Sequence, residues 1–456
     1  MLKCFILVRT ALIKRKEVSY MNNIKESKIT PEVTDIITDI EIEKKFISSL
    51  TLDEATVQSV LKEKIDEENS IVLKNTTNEN IKFEKELFSN INHINGAINV
   101  VSLFSGAGGL DLGVELANLV VEYGEKKAYQ IFKDKRKFEK SLLKQNTRLN
   151  VIYTNDIFVE ANQSYRANFM NTVVSDNRDI RKVANFPKSN LMLGGFPCPG
   201  FSAAGPRLLD DPRNFLYIHY IRALMQSNPA FFVAENVKGL MTMANGQVLN
   251  QIEQDFSAAG YKVSTQLVNA RDYGVPQSRE RVFIVGVRKD IVDTYNFEYA
   301  CPSATHGTSE KPWVNLYDAI GDLPYETDDY YRGDYSSMYM SRNRKKTWND
   351  QSFTIQASGR QAPQHPAGEP MEHVGKDLWE FRGSQNRRLS VREVARIQTF
   401  PDWYNFSDGN NGNATQNHRL NQQYKQIGNA VPVYLGEKMV RPIIEFFHNH
   451  PELLKQ

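Results

Sequence analysis

Between residues 99 and 287 the chain repeatedly breaks into short apolar runs, each stopping at a loop of glycine, proline or polar residues: Asn99–Phe104, Val151–Asn155, Leu191–Gly194, Phe231–Glu235 and Val282–Val287. Runs this short and this apolar read as strands buried on both faces, and the stretches between them carry helical spacing. That alternation predicts an α/β fold, a mostly parallel sheet covered by helices on both sides. In such sheets ligands bind beyond the carboxyl ends of the strands. The loops that follow the runs are therefore where chemistry is expected.

The flanking regions have a different texture. Residues 1–96 are rich in Lys, Glu, Asn, Ser and Thr, and glycine is absent until Gly96. They read as a charged extension, partly helical or disordered, with an amphipathic helix expected from Glu54 to Glu68; a partner-binding helix pair is the alternative. From 296 to 422 glycine, tyrosine, proline and basic residues crowd together, and helical periodicity is lost until Ser390–Gln398. This predicts a second, smaller domain beside a main domain of 97–295. The tail, Tyr424–Phe447, reads as a glycine-punctuated loop and then a helix, with 423–456 completing the main domain.

Composition narrows the class. A net charge of +2 is not the footprint of a histone-like binder, although a local basic patch suffices for binding DNA. The three cysteines, Cys4, Cys198 and Cys301, form no C-x-x-C pair, so neither a zinc site nor a disulfide scaffold is expected, and a reducing cytoplasmic setting is. The N-terminal apolar stretch is cut by Arg9, Lys14 and Arg15 and shows no signal-peptide cleavage site. No stretch reaches the ~18 apolar residues of a membrane span.

The first strand runs into Phe104-Ser105-Gly106-Ala107-Gly108-Gly109-Leu110. Glycines there allow a tight turn and close approach of backbone to a ligand; a plain tight turn is the alternative. The second strand ends at Asn155-Asp156, where an acid can accept hydrogen bonds from ribose hydroxyls or cap the next helix. Asp179-Ile180, after the third apolar run, can touch the base of the same ligand.

Cys198 stands between Pro197 and Pro199 past the end of Leu191–Gly194. Proline stiffens the loop that presents the thiol, although a lone cysteine is ordinarily structural. Glu235 ends the apolar run Phe231-Phe232-Val233, where partial desolvation suits an acid that holds or donates a proton; a strand-end salt bridge is the alternative. In Gln277-Ser278-Arg279-Glu280-Arg281, Arg279 and Arg281 share a face if the segment enters a strand. Two guanidinium groups aimed at one place suit a phosphate or a developing oxyanion, against the alternative of surface salt bridges.

FSGAGGLDLG, GGFPCPGFS, AENV, QSRERV, RRLSVREVARIQTFP and QIGNAVP occur in this order over residues 98–445. Together they resemble the motif series of the DNA cytosine-5 methyltransferases of bacterial restriction–modification systems. The resemblance implies a Rossmann-like S-adenosylmethionine-dependent α/β fold, a mixed sheet with a smaller target-recognition domain. It implies Cys198 as nucleophile toward cytosine carbon 6, Glu235 acting on ring nitrogen 3, Arg281 and Arg279 holding a flipped nucleotide, and methyl transfer to carbon 5. It assigns Phe104, Ser105, Gly106, Ala107, Gly108, Gly109, Leu110, Asp156, Ile157, Asp179, Ile180, Leu216, Asn429 and Ala430 to S-adenosylmethionine. Pro199 departs from the commoner glutamine of the family.

Ser336–Pro366 resembles the recognition region of GGCC-specific modification methylases of the BsuRI type. This implies double-stranded GGCC as target, the inner cytosine as acceptor, and a functional pairing with a restriction endonuclease; a monomer is expected. Arg342, Arg344 and Arg360 stand where such relatives place arginines that read guanine, a role suited to the bidentate fork. Lys345 and Lys346 suit phosphates. Generic backbone binding is the alternative for each arginine. An RNA cytosine-5 methyltransferase of the same fold and a non-enzymatic DNA-binding module are the competing functional readings.

Overall fold

Val100, Val101 and Leu103 are fully buried because β1 (Ile98–Leu103) has a parallel neighbour on each side. The computed structural model describes residues 53–145, 147–169, 173–197, 216–410 and 412–455. Within them β1 joins β2 (Leu149–Asn155), β3 (Val174–Asp176), β4 (Leu191–Gly194), β5 (Phe231–Val237), β6 (Tyr261–Asn269) and β7 (Glu280–Arg288) in one sheet of order β3-β2-β1-β4-β5-β7-β6. The five expected strands are present, Leu191–Gly194 with the expected ends and the others with ends shifted by at most two residues. The sheet is mixed: β7 runs antiparallel to both β5 and β6. Only Gly286 permits that insertion, since a Cβ there would sit 1.9 Å from the Phe232 ring of β5. The structure is thus α/β with a mixed sheet. Strand β6 escaped the apolar reading because its middle residues are half-exposed and polar.

Ahead of the sheet, α1 (Glu54–Lys74) is capped by Asp53 and buries Val57, Leu61, Ile65 and Val72. Thr77 then caps α2 (Asn78–Ser89), which buries Glu84. After β1 comes α3 (Gly109–Tyr123), buried at every position from Gly109 to Val120. A helix buried on every side has to be sandwiched. One side of α3 (Leu110, Val114, Ala117) meets the sheet and the C-terminal helix, and the other (Leu112, Leu116, Leu119) meets residues 316–433. The region 296–422 therefore shares a core with α3.

Helices α4 (Glu125–Phe132), α5 (Lys135–Leu142) and α6 (Val159–Asn168) follow in that layer; α7 (Leu216–Ser227) and α8 (Gln247–Ala258) cover the opposite face. There Tyr220, Phe232, Phe256 and Tyr261 pack ring against ring at 4.6–6.0 Å. Beyond β7 come the short helices α9 (Lys289–Tyr295), α10 (Leu316–Ile320) and α11 (Ser337–Met340) and the hairpin β8 (Glu372–Gly375) with β9 (Leu378–Glu380). A Ser390–Glu393 capping box then starts α12 (Val391–Ile397).

The tail corrects one expectation. Residues read as a glycine-punctuated loop are helical in α13 (Gln416–Asn429), and α14 (Val433–Asn449) follows at once. Gly428 is there for proximity: a Cβ would lie 2.3 Å from the Gln356 carbonyl oxygen. Gly113 likewise lets α3 touch α14, where a Cβ would be 2.8 Å from Glu437 N and Val433 O. No helix among the described residues is long and apolar enough to cross a membrane.

Helix α3 carries two buried acids. Asp111 accepts hydrogen bonds from Ser102 Oγ and Tyr165 Oη at 3.1 and 2.9 Å; Glu115 Oε2 is buried without a partner. Burial, then the nearby Asp111, pushes Glu115 up from 4.5 to about 8. The folded state therefore holds a proton the unfolded chain releases. Its stability cost is absent below about pH 4.5 and fully developed above about pH 8. Glu115→Gln is expected to stabilise the protein, by on the order of a few kcal/mol at most, with a larger gain at pH 8 than at pH 5 in urea unfolding. An equal gain at both values would refute the assignment.

Candidate active site

Strands β1 and β4 lie side by side and parallel, so the crevice of this sheet opens past Leu103 and Gly194. The chain leaves β1 through a turn in which Phe104, Gly106 and Gly108 have φ of 53°, 54° and 79°. Gly108 admits no side chain, because a Cβ would lie 2.5 Å from the Phe169 ring. Gly109 is equally tight, 2.5 Å from the Val431 carbonyl oxygen. Above Gly106, by contrast, a Cβ would meet nothing within 4 Å. Ala107 and Leu110 are buried, and Tyr404 donates its hydroxyl to the Ala107 carbonyl.

Asp156 closes this turn from β2. Its Oδ2 accepts from Gly106 N at 2.8 Å and its Oδ1 from Phe158 N at 2.7 Å. Burial raises its pKa, and these two N–H groups oppose the rise. Each carboxylate oxygen keeps a second lone pair for a ligand hydroxyl. Ile157 beside it is 65 % exposed, an apolar face left open.

Asp179 caps a 3-10 turn, accepting from Arg181 N at 3.0 Å. Burial would raise it, but hydrogen bonds from Arg181 hold it below the usual carboxylate range. Ile180 is 3 % exposed, and its carbonyl accepts from the buried Arg222 at 3.0 Å. Ala430 packs on Gly109, while Asn429 is exposed at the last turn of α13. Leu216 is half-buried at the first described turn of α7, followed by Tyr217, whose ring centroid is 6.3 Å from that of Phe196.

The donor set suits an adenosyl group. Ser105 Oγ is buried without a partner; Asp156 supplies acceptors, Ile157 an apolar face, and Gly106 open space. Sequence reasoning missed Tyr404, whose contact with Ala107 spans almost three hundred residues and leaves no local signal.

The other half of the crevice belongs to β4, β5 and β7. Glu235 lies opposite Phe283 and Arg281 opposite Val237, a diagonal pair on one sheet face. Arg281 Nε is 2.8 Å from Glu235 Oε1. Its N–H is not aimed at that oxygen, which makes no directed hydrogen bond; the two form an ion pair. Burial lowers the Arg281 pKa, against the pull of Glu235. Glu235 Oε2 lies 3.5 Å from where a Cβ on Gly195 would be. Asn236 Nδ2 donates to the Phe196 carbonyl at 3.1 Å, so β5 holds the Gly195-Phe196-Pro197 segment directly. Cys198, the next residue, lies outside the described residues, as does Pro199.

Arg279 departs from its expected role. It is 1 % exposed. Its Nη1 donates to Ile355 O at 3.2 Å, and its Nη2 to Gly428 O and Ala430 O at 2.9 and 3.1 Å. With its fork spent on carbonyls it braces the turn after α13 and cannot grip a phosphate. Gln277 joins the same knot: Ile355 N donates to its Oε1, and its Nε2 donates to Gln398 Oε1. Gln398 Nε2 in turn donates to Ile427 O at 2.7 Å.

The basic residues of 336–366 divide in two. Arg342 and Arg360 are exposed, and neither side chain makes a hydrogen bond among the described residues. Arg344 folds back over the Tyr339 ring, 4.7 Å from its centroid, and donates to Tyr339 O and Met338 O. Lys345 is corrected: it is 4 % exposed and its Nζ donates to Gln385 O at 3.0 Å, which removes it from phosphate duty. Lys346 lies over the Phe353 ring.

The C-5 cytosine-specific DNA methylase family matches residues 98–445. The chain is 56 % identical over 400 residues to the type II methyltransferase M.BsuRI of Bacillus subtilis, covering 87 % of this chain and 89 % of that protein. It is 54 % identical over 419 residues to M.BspRI of Lysinibacillus sphaericus, covering 89 % and 95 %. In fold it is similar to a putative DNA modification methyltransferase from an Escherichia coli prophage (TM-score 0.51, 21 % identity, 76 % of this chain and 98 % of that one). A Spodoptera frugiperda DNMT2 variant is similar at TM-score 0.51 and 18 % identity over 77 % of this chain and 100 % of that one.

The brace is testable. Arg279→Lys keeps the charge but loses the fork, leaving carbonyls unpaired at a cost of about 2–4 kcal/mol. The urea midpoint should fall by the corresponding amount with an unchanged slope. A midpoint equal to that of the parent protein would show that Arg279 braces nothing.

Proposed function

The chain belongs to the C-5 cytosine-specific DNA methylases and uses S-adenosylmethionine, and on that premise we propose that it methylates the inner cytosine of double-stranded GGCC through Cys198. The observation that carries the reading is the Glu235–Arg281 ion pair, seated against Gly195 three residues before that cysteine. Residues 97–295 with 423–456 form the catalytic part, 296–422 the target-recognition part and 1–96 the extension.

The Cys198 thiolate adds to carbon 6 of a cytosine flipped out of the duplex. Glu235 hydrogen-bonds or protonates ring nitrogen 3, which draws electron density from the ring and makes that addition feasible. Arg281 fixes the Glu235 carboxylate and contacts the flipped nucleotide. S-adenosylmethionine supplies the methyl group that carbon 5 takes. A base removes the proton from carbon 5, and the electron pair expels the thiolate. Phe104–Leu110, Asp156, Ile157, Asp179, Ile180, Leu216, Asn429 and Ala430 form the cofactor pocket. Of these, Asp156 serves ribose and Ile157 packs on adenine.

The GGCC target is supported by the resemblance of Ser336–Pro366 to GGCC-specific modification methylases and by the 56 % identity to M.BsuRI. Arg342 and Arg360, both exposed, read guanine; Arg344 has only part of its fork left to do so. The enzyme works as a cytoplasmic monomer and protects host DNA from a partner endonuclease.

Transfer of labelled methyl from S-adenosylmethionine to GGCC duplexes tests the core of this reading. Cys198→Ser should abolish transfer, and Glu235→Gln should slow it by about 10²–10⁴-fold. Label entering RNA, or duplexes without GGCC, in preference would refute the target. Separately, Arg342→Ala and Arg360→Ala should each lose about 1–3 kcal/mol of discrimination at guanine positions. Equal weakening on all DNA, measured by competition binding at fixed salt, would mean they touch only the backbone.

A further inference from the structure

The adenine end of the pocket is gripped from outside the catalytic domain. Glu84, on α2 of the extension, is 7 % exposed although it carries a charge. Its two oxygens accept from Arg178 Nη1 at 2.8 Å, Ala184 N at 3.2 Å, Asn185 N at 3.0 Å and Asn185 Nδ2 at 2.7 Å. Arg178 in turn forks onto Asp176 at the end of β3, with Nε–Oδ1 at 3.0 Å and Nη2–Oδ2 at 2.7 Å. The Asp176 carbonyl accepts from Asp156 N at 3.2 Å and from Asn155 Nδ2 at 3.1 Å. One continuous polar chain therefore runs from α2 to the backbone of Asp156.

The loop between, Arg178–Asn185, carries Asp179 and Ile180. It is held on both polarities. Glu84 takes its N–H groups at 184 and 185. The buried Arg222 of α7 donates Nη2 to the carbonyls of Ile180 and Val183 at 3.0 and 2.7 Å, and Nη1 to Ala184 at 3.3 Å. Phe83, next to Glu84, lies under the Arg178 guanidinium at 5.2 Å.

We propose that Glu84 is a positioning residue for the cofactor, and that α2 sets S-adenosylmethionine affinity by fixing the Arg178–Asn185 loop against the adenine and ribose. The proposal rests on the pocket assignment made above. Glutamine at 84 would keep the shape but turn an N–H toward donors that now meet an oxygen. The adenosine half should feel the change most, because the chain leads directly to Asp156, Asp179 and Ile180 and meets the glycine turn only at its edge, through the Ser105 and Gly106 N–H groups that Asn155 and Asp156 accept.

The test is calorimetric titration of the full chain with S-adenosylhomocysteine and with 5′-methylthioadenosine, which lacks the amino-acid end. Glu84→Gln should weaken both ligands by the same factor, about five- to tenfold. It should raise KM for S-adenosylmethionine and leave kcat at saturation unchanged. Glu84→Asp, with the charge kept on a shorter stem, should recover part of the loss. Arg178→Lys breaks the chain at its next link and should shift both ligands the same way, which keeps the test open if Glu84→Gln does not fold. Ile157→Ala reports on the pocket itself. If it weakens binding while Glu84→Gln and Arg178→Lys do not, even with a lowered unfolding midpoint, α2 is merely structural and the inference is overturned. If Ile157→Ala leaves both affinities unchanged, the pocket assignment fails and takes the inference with it.

Discussion

The knot of Gln277, Arg279 and Gln398 is what lets one site be assembled from distant parts of the chain. Four segments meet there: the approach to β7, the backbone at Ile355, the end of α12 and the turn after α13. Each brings carbonyls or amides that pairing within a helix or a strand leaves over. A buried polar group without a partner is costly, and a network satisfied at nearly every atom is correspondingly specific about geometry. Because Arg279 holds Gly428 and Ala430, Ala430 can sit on Gly109 and shape the glycine turn after β1. Because Arg279 leads into β7, the same brace sets the start of the strand that carries Arg281 to Glu235.

Those two guanidinium groups, two residues apart, have opposite duties. Arg281 faces a carboxylate at the crevice; Arg279 faces carbonyls in the core. Residue type and spacing are identical for both, and only the partners brought in from residues 355 and 428–430 separate them. This is why the pattern QSRER could suggest two arginines at a site but not which one was structural. Lys345 makes the same point: a lysine in a basic run reads as a phosphate contact, yet Gln385 and Asn386, forty residues on, draw its ammonium inward.

What could be read in the sequence was local. The strands through Leu191–Gly194 and Phe231–Glu235, the glycine turn after β1 and the acid at 156 follow from apolar runs, loop glycines and strand ends, because those signals lie within a few residues of their consequences. The α13 tail reads as a loop in the sequence because Gly428 looks like a helix breaker. Its real cause is a backbone pressed against Gln356, which no neighbour in sequence announces. The contacts of the extension leave no local signal for a similar reason. Glu84 is one acid among many in a charged stretch, and its partners lie about a hundred residues away.

The sandwiching of α3 has a consequence for how the protein is made. Its two apolar sides are covered by residues 316–433 and by α14, both synthesised long after it. On the ribosome, a nascent chain that has reached β7 carries a finished strand series and a helix covered only by the sheet and by α4 and α5. Until Val433–Asn449 emerges, Leu110, Val114 and Ala117 keep only their contacts with the sheet, and the part of the core that α14 fills remains open to chaperones and to other unfinished chains. Termination anywhere before that helix would leave an aggregation-prone fragment rather than a smaller working enzyme.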